Sequence, residues 1–379
     1  MRKLVDTAPA ARTAEPAEAS AIVAQFDIRY TQILGADGKP RAALPAFAAN
    51  ADELQASYRE MVLLRTFDRK AVALQRTGRL GTYAPCIGQE AVGVAAGRAM
   101  AREDVLLGTY RETGVMLARG VRMSEILLYW SGDERGSAYA GPQAPREDFP
   151  ICVPIATHAP QAVGVAYAFK LRREPRVAVC ILGDGATSKG DFYEALNGAG
   201  VWQLPVVFVV VNNEWAISVP RGRQSAAATL AQKAIAAGIP GEQVDGNDLV
   251  AVRAVLDEAL AAARRGGGPR VIEALTYRLG DHTTADDARR YRPEQELTQW
   301  QRLDPLARLK KFLVREHLWT EADDANLVEQ CNAAVEQAVA EFQAVPPRAP
   351  ETMFDHLFAE LPAALREQRE ALARGRRDD

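Results

Sequence analysis

The feature that most constrains the fold is a pair of polar turns, Gly-Asp-Gly at 183–185 and Asn-Asn at 212–213. Residues 176–182 form a short apolar run rich in β-branched residues, which is typical of a buried strand. Residues 190–201 carry apolar side chains at helical spacing, and 206–211 form a second apolar run. The pattern predicts one strand–helix–strand unit with a polar turn at the carboxyl end of each strand.

Such a unit is right-handed and parallel, and ligands bind just outside the carboxyl ends of its strands. Asp184 and Asn213 both fall there, so we expect their side chains to converge. One carboxylate and one amide oxygen suit Mg²⁺ or Ca²⁺ better than zinc. The glycines allow a phosphate to approach the backbone, and a helix amino terminus near Gly190 favours an anion. The residues therefore predict a site for a metal-bound diphosphate.

The rest of the chain alternates strands and helices, which predicts an α/β fold with a doubly wound, mostly parallel sheet flanked by helices. We expect the carboxy-terminal region to be helical. The predicted helices cover residues 50–76, 88–129, 190–201, 227–237, 247–265, 303–342 and 351–373, and the predicted strands cover residues 176–182, 206–211, 242–244 and 270–277.

Composition and pattern divide the chain into three predicted segments, and the second of them contains a predicted long loop. Residues 1–24 are rich in Ala, Pro, Glu and Thr without periodicity, which indicates a flexible amino-terminal arm. Residues 25–345 form the α/β domain, and 346–379 form a linker and a carboxy-terminal helix. Residues 131–150 are rich in Gly, Pro and charge, and are predicted to form a long loop near the site.

Composition excludes several classes of protein. The formal net charge of the 379 residues is −3 and no basic stripe is present, so nucleic acid is not an expected partner. The apolar run 205–211 is far too short to span a bilayer, and no signal-peptide pattern opens the chain. The four cysteines show neither metal-ligand spacing nor the density of a disulfide framework. We expect a cytoplasmic enzyme with reduced cysteines and no membrane contact.

Several longer motifs follow one another in a recognisable order. They are GRLGTYAPCIGQEA at 78–91, TYRETG at 109–114, PIATHAPQAVGVAYA at 154–168, GDGATSKGDFYEALNGA at 183–199, NNEWAIS at 212–218, TLAQKAIAAGIPGEQVDGND at 229–248 and YRLGDHTTADDARRYR at 277–292. Together with the thiamine diphosphate fingerprint of the two polar turns, they resemble the alpha subunit of the thiamine-dependent decarboxylating component of 2-oxo acid dehydrogenase complexes. The resemblance covers about residues 25–370 and implies the thiamine diphosphate-binding fold.

The resemblance implies a role for each matching residue. Asp184, Asn213 and the backbone carbonyl of Trp215 match the Mg²⁺ ligands of the family, and Gly185 and Ala186 would offer amides to the diphosphate. The remaining cofactor-binding positions implied by the match are Tyr110, Arg111, Val153, Ile155, Ile217 and His282.

His282 also matches an active-site histidine, which is implied to act as a catalytic donor that titrates near pH 7. Arg278 and Asp286 are placed to form a pair that orders the loop at 280–292. Without the resemblance, these residues would have ordinary structural interpretations. Arg111 alone would indicate a surface ion pair, and Val153 and Ile155 alone would indicate core packing.

The resemblance also implies the reaction and the partners. Thiamine diphosphate and Mg²⁺ would be the cofactors, because the cofactor carries out the difficult chemistry of 2-oxo acid decarboxylation. The activating glutamate of the family comes from a separate beta subunit, so an α₂β₂ heterotetramer is expected that acylates the lipoyl group of a dihydrolipoyl transacylase. This chain alone would be inactive.

Several alternatives remain open at this point. Pyruvate is the first substrate candidate, a branched-chain 2-oxo acid is the second, and acetoin is the third. A noncatalytic assembly scaffold would show damage at Arg111, Asp184, Asn213 or His282, yet all four residues are intact. A nicotinamide dehydrogenase is disfavoured, because no Gly-x-Gly-x-x-Gly follows an early strand.

Overall fold

A computed structural model of the chain describes residue 22 and residues 24–375. The described residues contain eight strands: β1 Tyr30–Thr31, β2 Val105–Leu107, β3 Ala178–Gly183, β4 Val206–Asn212, β5 Trp215–Ala216, β6 Val219–Pro220, β7 Gly241–Asp245 and β8 Arg270–Leu275. The α-helices are α1 Ala51–Arg76, α2 Glu90–Ala99, α3 Thr113–Ala118, α4 Met123–Trp130, α5 His158–Arg172, α6 Gly190–Val201, α7 Arg221–Gln224, α8 Leu249–Arg264, α9 Glu294–Gln301, α10 Pro305–Arg315, α11 Glu321–Gln343 and α12 Ala363–Gly375. Short 3₁₀ segments lie at Ala46–Ala49, Glu134–Ser137, Asp184–Ser188, Ala231–Ala237, Ala288–Arg290 and Pro350–Phe354.

Six strands form one sheet in the order β1-β7-β8-β4-β3-β2, and every neighbouring pair in it is parallel. Strands β5 and β6 form a separate antiparallel hairpin. The chain moves in one direction from β2 through β3 to β4, and in the opposite direction from β7 to β8. The carboxyl ends of β4 and β8 therefore meet where the strand order reverses, which is where open α/β sheets bind ligands.

Alternate residues of the central strands enter two separate hydrophobic clusters. Val207, Val209 and Val211 of β4 join one cluster, whereas Phe208 and Val210 join the other, and all are buried. Helices α1, α2 and α8 contribute to the first cluster, while α5 and α6 contribute to the second. Both faces of the sheet are thus covered by helices, which explains the nearly continuous apolar sequence of the strands. The predicted doubly wound α/β fold is confirmed.

Several predicted elements match the structure closely, and one was wrong. The strand–helix–strand unit β3–α6–β4 begins and ends within two residues of its predicted bounds. The segment 88–129 is not helical throughout, because it contains the buried strand β2 between α2 and α3. A strand of three apolar residues that is buried on both faces has no alternation, so it resembles part of a helical pattern.

Other bounds also needed correction. The predicted helix at 227–237 is a shorter 3₁₀ segment, and 303–342 is interrupted between α10 and α11, where His317 has a positive φ of 58°. The final helix begins at Ala363, after Pro362, instead of at 351. Helix α5, edge strand β1 and the β5–β6 hairpin were not predicted. The predicted arm at 1–24 lies outside the described residues except for residues 22 and 24.

A buried polar cluster just beyond β7 attaches the segment that follows β1, which we call the amino-terminal strap, to the sheet. One oxygen of Asp248 accepts hydrogen bonds from the backbone amides of Ile33 and Leu34, at 2.7 and 2.6 Å. Its other oxygen accepts from Val250 and Ala251 and so caps the amino terminus of α8. We define Asp248 and its four amide donors as the strap anchor.

The thiols of all four cysteines are free, as predicted. Within the part of the chain that the structure describes, no helix combines the length and the apolar character needed to cross a membrane.

Candidate functional site

A cavity of about 230 Å³ opens at the carboxyl ends of β3 and β4. Ten of the eleven site residues predicted from the sequence line it: Tyr110, Arg111, Ile155, Asp184, Gly185, Ala186, Asn213, Trp215, Ile217 and His282. Val153 is the exception, since it does not line the cavity and its side chain is 53% exposed. Ala156, whose φ of 64° is positive, lines the cavity next to Ile155.

Asp184 is a buried carboxylate with few protein donors. It directly follows β3, and it is only 2% exposed. Among the described residues, the one side-chain donor that reaches it is Gln224 Nε2, at 3.4 Å. Burial raises the pKa of Asp184 to about 6, although the amides of Asp184 and Gly185 favour the ionised form. A cation beside this carboxylate would remove the desolvation penalty that now raises the pKa.

The two asparagines at the carboxyl end of β4 make different contacts. Asn212 donates from Nδ2 to Glu273 Oε1 at 2.7 Å, and its Oδ1 accepts from the backbone amide of Glu214. Asn213 lines the cavity, donates from Nδ2 to Gln89 Oε1 at 3.1 Å, and accepts at Oδ1 from the amide of Trp215 at 3.3 Å. Asn212 therefore anchors the loop, whereas Asn213 lies beside Asp184 in the cavity wall.

The hairpin after Asn213 is held in an unusual backbone conformation. Glu214 and Ile217 have positive φ angles of 69° and 55°, which are uncommon for residues other than glycine. Arg278 clamps the hairpin by donating to the carbonyls of Trp215 and Ile217, at 3.2 and 2.8 Å. The indole of Trp215 donates to Tyr277 and Glu296, which fixes the other side of the hairpin. The carbonyl of Trp215 is thereby held at the cavity.

Two guanidinium groups surround His282. Nη2 of Arg111 lies 3.2 Å from Nδ1 of His282 and also donates to its backbone carbonyl at 2.8 Å. Nη1 of Arg278 lies 3.4 Å from the same Nδ1. Because a guanidinium only donates, Nδ1 must be the acceptor, and the ring proton resides on Nε2. Tyr110 packs edge-on against this ring, with 5.9 Å between the centroids.

The predicted titration of His282 near pH 7 was wrong for the free protein. Burial, followed by the charges of Arg111 and Arg278, lowers its pKa to about 4. His282 is therefore a neutral hydrogen-bond donor at pH 7. The predicted pairing of Arg278 with Asp286 is indirect, because Tyr291 accepts from Arg278 and donates to Asp286.

Three polar residues that line or support the cavity are among those that sequence reasoning missed. Gln89 and Glu112 line it, and Gln224 reaches Asp184. Both Gln89 and Glu112 lie inside quoted motifs. The contact of Gln89 with Asn213 joins residues that are remote in sequence, whereas Glu112 accepts from Thr109 within one motif. The predicted contribution of the amino terminus of α6 is not direct, since the 3₁₀ segment Asp184–Ser188 separates Gly190 from the cavity wall.

A comparison with known proteins identifies the chain's relatives. The family model described as "Dehydrogenase E1 component" matches residues 58–351. The 3-methyl-2-oxobutanoate dehydrogenase subunit alpha of Mycobacterium tuberculosis is 43% identical over 359 residues, covering 93% of this chain and 96% of that protein. The pyruvate dehydrogenase E1 component subunit alpha of Staphylococcus aureus is 40% identical over 311 residues, covering 82% of this chain and 83% of that protein. The resemblance seen in the motifs is confirmed: the chain belongs to the dehydrogenase E1 component family, and its relatives are alpha subunits of 2-oxo acid dehydrogenases.

Proposed function

We propose that this chain is the alpha subunit of a 2-oxo acid dehydrogenase E1 component that binds thiamine diphosphate through Mg²⁺ and acts together with a beta subunit. One observation carries the proposal. The same cavity is lined by the oxygen donors Asp184 and Asn213 and by the cationic or N–H donor groups Arg111 and His282. Oxygen ligands suit a hard cation, and the guanidinium suits a phosphate.

The oxygen donors fit a divalent cation. Asp184 supplies a carboxylate, Asn213 supplies an amide oxygen, and Trp215 supplies a backbone carbonyl at the cavity wall. Three protein oxygens leave positions for phosphate oxygens and water, which is how Mg²⁺ is commonly bound next to a diphosphate. Burial raises the pKa of Asp184, and Gln224 Nε2, at 3.4 Å, is the side-chain donor that the described residues bring to it.

The opposite wall fits an anion. Among the described residues, no carboxylate forms a direct ion pair with Arg111 or Arg278, although Arg278 is fully buried. Gly183 lines the cavity, and a Cβ built on it would meet no atom within 4 Å, so the space beside its backbone is open. A diphosphate would supply the missing negative charge and fill this space.

When bound, thiamine diphosphate would supply a nucleophilic carbon and an electron sink for decarboxylation of a 2-oxo acid. The chain's own residues have simpler tasks. Arg111 is fixed by the carbonyl of Pro85, at 2.6 Å, and orients one face of the diphosphate. His282 holds its proton on Nε2 as a neutral donor toward the cavity, and Arg278 keeps the Trp215 carbonyl in place.

A beta subunit is part of the proposal. The resemblance implies that the activating glutamate belongs to the partner. Two exposed apolar side chains, Ile155 and Ile217, line the cavity, and two more, Val153 and Val219, lie two residues from them in sequence, as expected for a surface that a partner covers. All four are 42–56% exposed. A lipoyl-bearing dihydrolipoyl transacylase would receive the acyl group.

The substrate has two candidates. The motifs favour pyruvate, and the pyruvate dehydrogenase alpha subunit of Staphylococcus aureus supports it. A branched-chain 2-oxo acid is the second candidate, because similarity to the mycobacterial 3-methyl-2-oxobutanoate dehydrogenase alpha subunit extends over more of the chain and at higher identity. Pyruvate and 3-methyl-2-oxobutanoate differ by two carbon atoms, and each carbon in an apolar pocket is worth only about 1 to 3 kcal/mol of discrimination.

The test uses the chain co-expressed with its beta subunit. We expect release of CO₂ from pyruvate and acylation of a lipoyl domain only when both subunits, Mg²⁺ and thiamine diphosphate are present. A parallel assay with 3-methyl-2-oxobutanoate ranks the substrates by kcat/KM. Full activity of the chain without the beta subunit would contradict the proposed assembly. An assembled pair that neither binds the cofactor nor releases CO₂ from any 2-oxo acid would support a noncatalytic scaffold instead.

A further inference from the structure

Gln89 occupies the amino-terminal cap position of α2, yet its side chain does not cap the helix. The preceding Gly88 has a φ of 95°, and a Cβ there would lie 2.3 Å from the carbonyl oxygen of Tyr277. This close approach brings the start of α2 against the segment that follows β8. The Gln89 side chain, only 5% exposed, instead reaches Asn213 and lines the cavity.

The hydrogen bonds fix which way both amides point. The backbone amide of Trp215 can only donate, so the group of Asn213 that faces it, at 3.3 Å, must be Oδ1. Nδ2 of Asn213 then faces Gln89, and the atom of Gln89 that receives it at 3.1 Å must be Oε1. Turning the amide of Asn213 over would place two donors against each other at Trp215. Gln89 and Trp215 together therefore hold Asn213 in one orientation.

These contacts leave one hydrogen-bond donor of Gln89 without an acceptor. Nε2 of Gln89 is buried and has no hydrogen-bond partner among the described residues. A buried N–H group without an acceptor is costly, so its acceptor is expected from a ligand or a water. The cavity that Gln89 lines is the place from which a diphosphate oxygen or a cation-bound water can reach it.

We propose that Gln89 is a positioning residue that holds the amide of Asn213 so that Oδ1 is presented to the divalent cation, while its own Nε2 awaits an acceptor on the ligand side. This inference rests on the proposed function. An amide oxygen has two lone pairs, so Oδ1 can accept from Trp215 and still bind a cation. Partners that orient a metal ligand commonly change metal affinity by about 10- to 100-fold when they are removed.

The experiment uses the co-expressed alpha–beta pair, stripped of metal and cofactor. Calorimetry measures the Mg²⁺ concentration for half-saturation at saturating thiamine diphosphate, and separately the Kd for thiamine diphosphate at saturating Mg²⁺. Gln89→Met removes both hydrogen-bonding ends at similar volume. Gln55→Met is the matched control. Gln55 lies on α1, and the substitution removes one partly buried hydrogen bond, from its side chain to the carbonyl of Leu318.

We expect Gln89→Met to raise the half-saturating Mg²⁺ concentration by about 10- to 100-fold, and Gln55→Met to change it by less than about twofold. Gln89→Glu retains an acceptor for Asn213 but has no N–H group. It should therefore restore the Mg²⁺ requirement toward wild type while binding thiamine diphosphate more weakly. If Gln89→Met fails to fold, as judged by its circular dichroism and Tm, the thiamine diphosphate affinity of Gln89→Glu carries the test, and wild-type affinity in that variant would overturn the inference.

A double-mutant cycle separates positioning from general damage. In an Asn213→Ala background there is no amide to orient, so Gln89→Met should change the Mg²⁺ requirement by less than about twofold. An equally large effect of Gln89→Met with and without Asn213 would overturn the inference, as would wild-type Mg²⁺ dependence in Gln89→Met. Failure of the wild-type pair to bind Mg²⁺ and thiamine diphosphate at all would instead overturn the proposed function.

Discussion

Two aspartates at the same edge of the sheet have opposite surroundings. Asp248 lies just beyond β7 and Asp184 directly follows β3, and both are buried. In the strap anchor, four backbone amides donate to Asp248 at 2.6 to 3.2 Å. Among the described residues, Asp184 receives one side-chain hydrogen bond, from Gln224 at 3.4 Å, besides the amides of Asp184 and Gly185. The protein satisfies one carboxylate by itself and leaves the other short of partners.

The difference separates a structural aspartate from a ligand-binding one. Both residues have the same chemistry and the same position relative to a parallel sheet, so neither residue type nor topology distinguishes them. What distinguishes them, within the part of the chain that the structure describes, is that groups around Asp184 lack partners: Nε2 of Gln89 has no hydrogen-bond partner, and the fully buried Arg278 has no acidic partner. Buried groups that the protein does not satisfy indicate what the site must bind.

The largest expected effect comes from Asp184→Asn. This change removes the only carboxylate of the proposed cation site, so Mg²⁺-dependent binding of thiamine diphosphate should fall by at least about 100-fold, the upper end of what loss of an outer-shell partner costs. The free energy of unfolding of the free protein should not fall, because a neutral amide replaces a carboxylate that is costly to bury. Calorimetric titration and urea unfolding measure the two effects. Unchanged Mg²⁺ dependence would contradict the assignment.

Asp248→Asn should show the reverse pattern. The amide group of asparagine would face backbone donors at Ile33 and Leu34 or at the start of α8, which costs about 2 to 4 kcal/mol of unfolding free energy. Affinity for Mg²⁺ and thiamine diphosphate should stay within about twofold of wild type, because distant sites are usually independent. Urea unfolding checks the first outcome. A variant as stable as wild type would show that the strap anchor does not stabilise the fold.

The pH dependence provides a third test. Since Asp184 has a folded pKa of about 6 against an ordinary value of 3.8, the free protein binds an extra proton between these values, and this group's contribution to stability falls as pH rises through that range. Cation binding requires the ionised form. Affinity for Mg²⁺ with thiamine diphosphate should therefore rise with pH by up to about tenfold per unit below pH 6, and then level off.

The contribution of His282 to stability changes with pH in the opposite direction over nearly the same range. Its folded pKa is about 4 against an ordinary 6.5, so its contribution to stability rises as pH increases between these values. The two groups partly cancel in unfolding experiments on the free protein. Ligand affinity measured by calorimetry is consequently the sharper measurement, and Asp184→Asn is its control, since that variant should lose the slope below pH 6.

Gly183→Ala should produce the smallest effect. The backbone there has an ordinary φ of −79°, and the added Cβ would meet no protein atom within 4 Å. The fold should gain slightly or not change, while a methyl group in the space proposed for the diphosphate should weaken thiamine diphosphate binding by about tenfold, a typical cost of crowding. Binding equal to wild type would show that the diphosphate does not pass beside Gly183.

Sequence patterns predicted the elements with strong periodicity. The unit β3–α6–β4 and helix α1 were found because their apolar residues recur over many positions. Strand β2 was missed because three buried residues carry no period, and the β5–β6 hairpin was missed because its positive φ angles at Glu214 and Ile217 contradict local propensity. Tertiary contacts decide such short elements.

The candidate site was predictable in its residue types and less so in its organisation. Asp184, Asn213, Arg111 and His282 follow from the motifs, and the structure brings them to one cavity. The contact between Gln89 and Asn213 joins residues 124 positions apart, so no local pattern reveals it. The low pKa of His282 also depends on burial and on two arginines, Arg278 four residues before it and Arg111 171 residues before it, and only the folded geometry shows that both approach the ring.

The most direct test of the central claim is anomalous X-ray scattering from Mn²⁺ in crystals of the alpha–beta pair grown with thiamine diphosphate. Mn²⁺ takes the same oxygen ligands as Mg²⁺ and can be located without ambiguity. We expect one peak in direct contact with the oxygens of Asp184, Asn213 and the Trp215 carbonyl, and none at Asp248. A cation bound elsewhere, or bound at the strap anchor instead of at Asp184, would contradict the account.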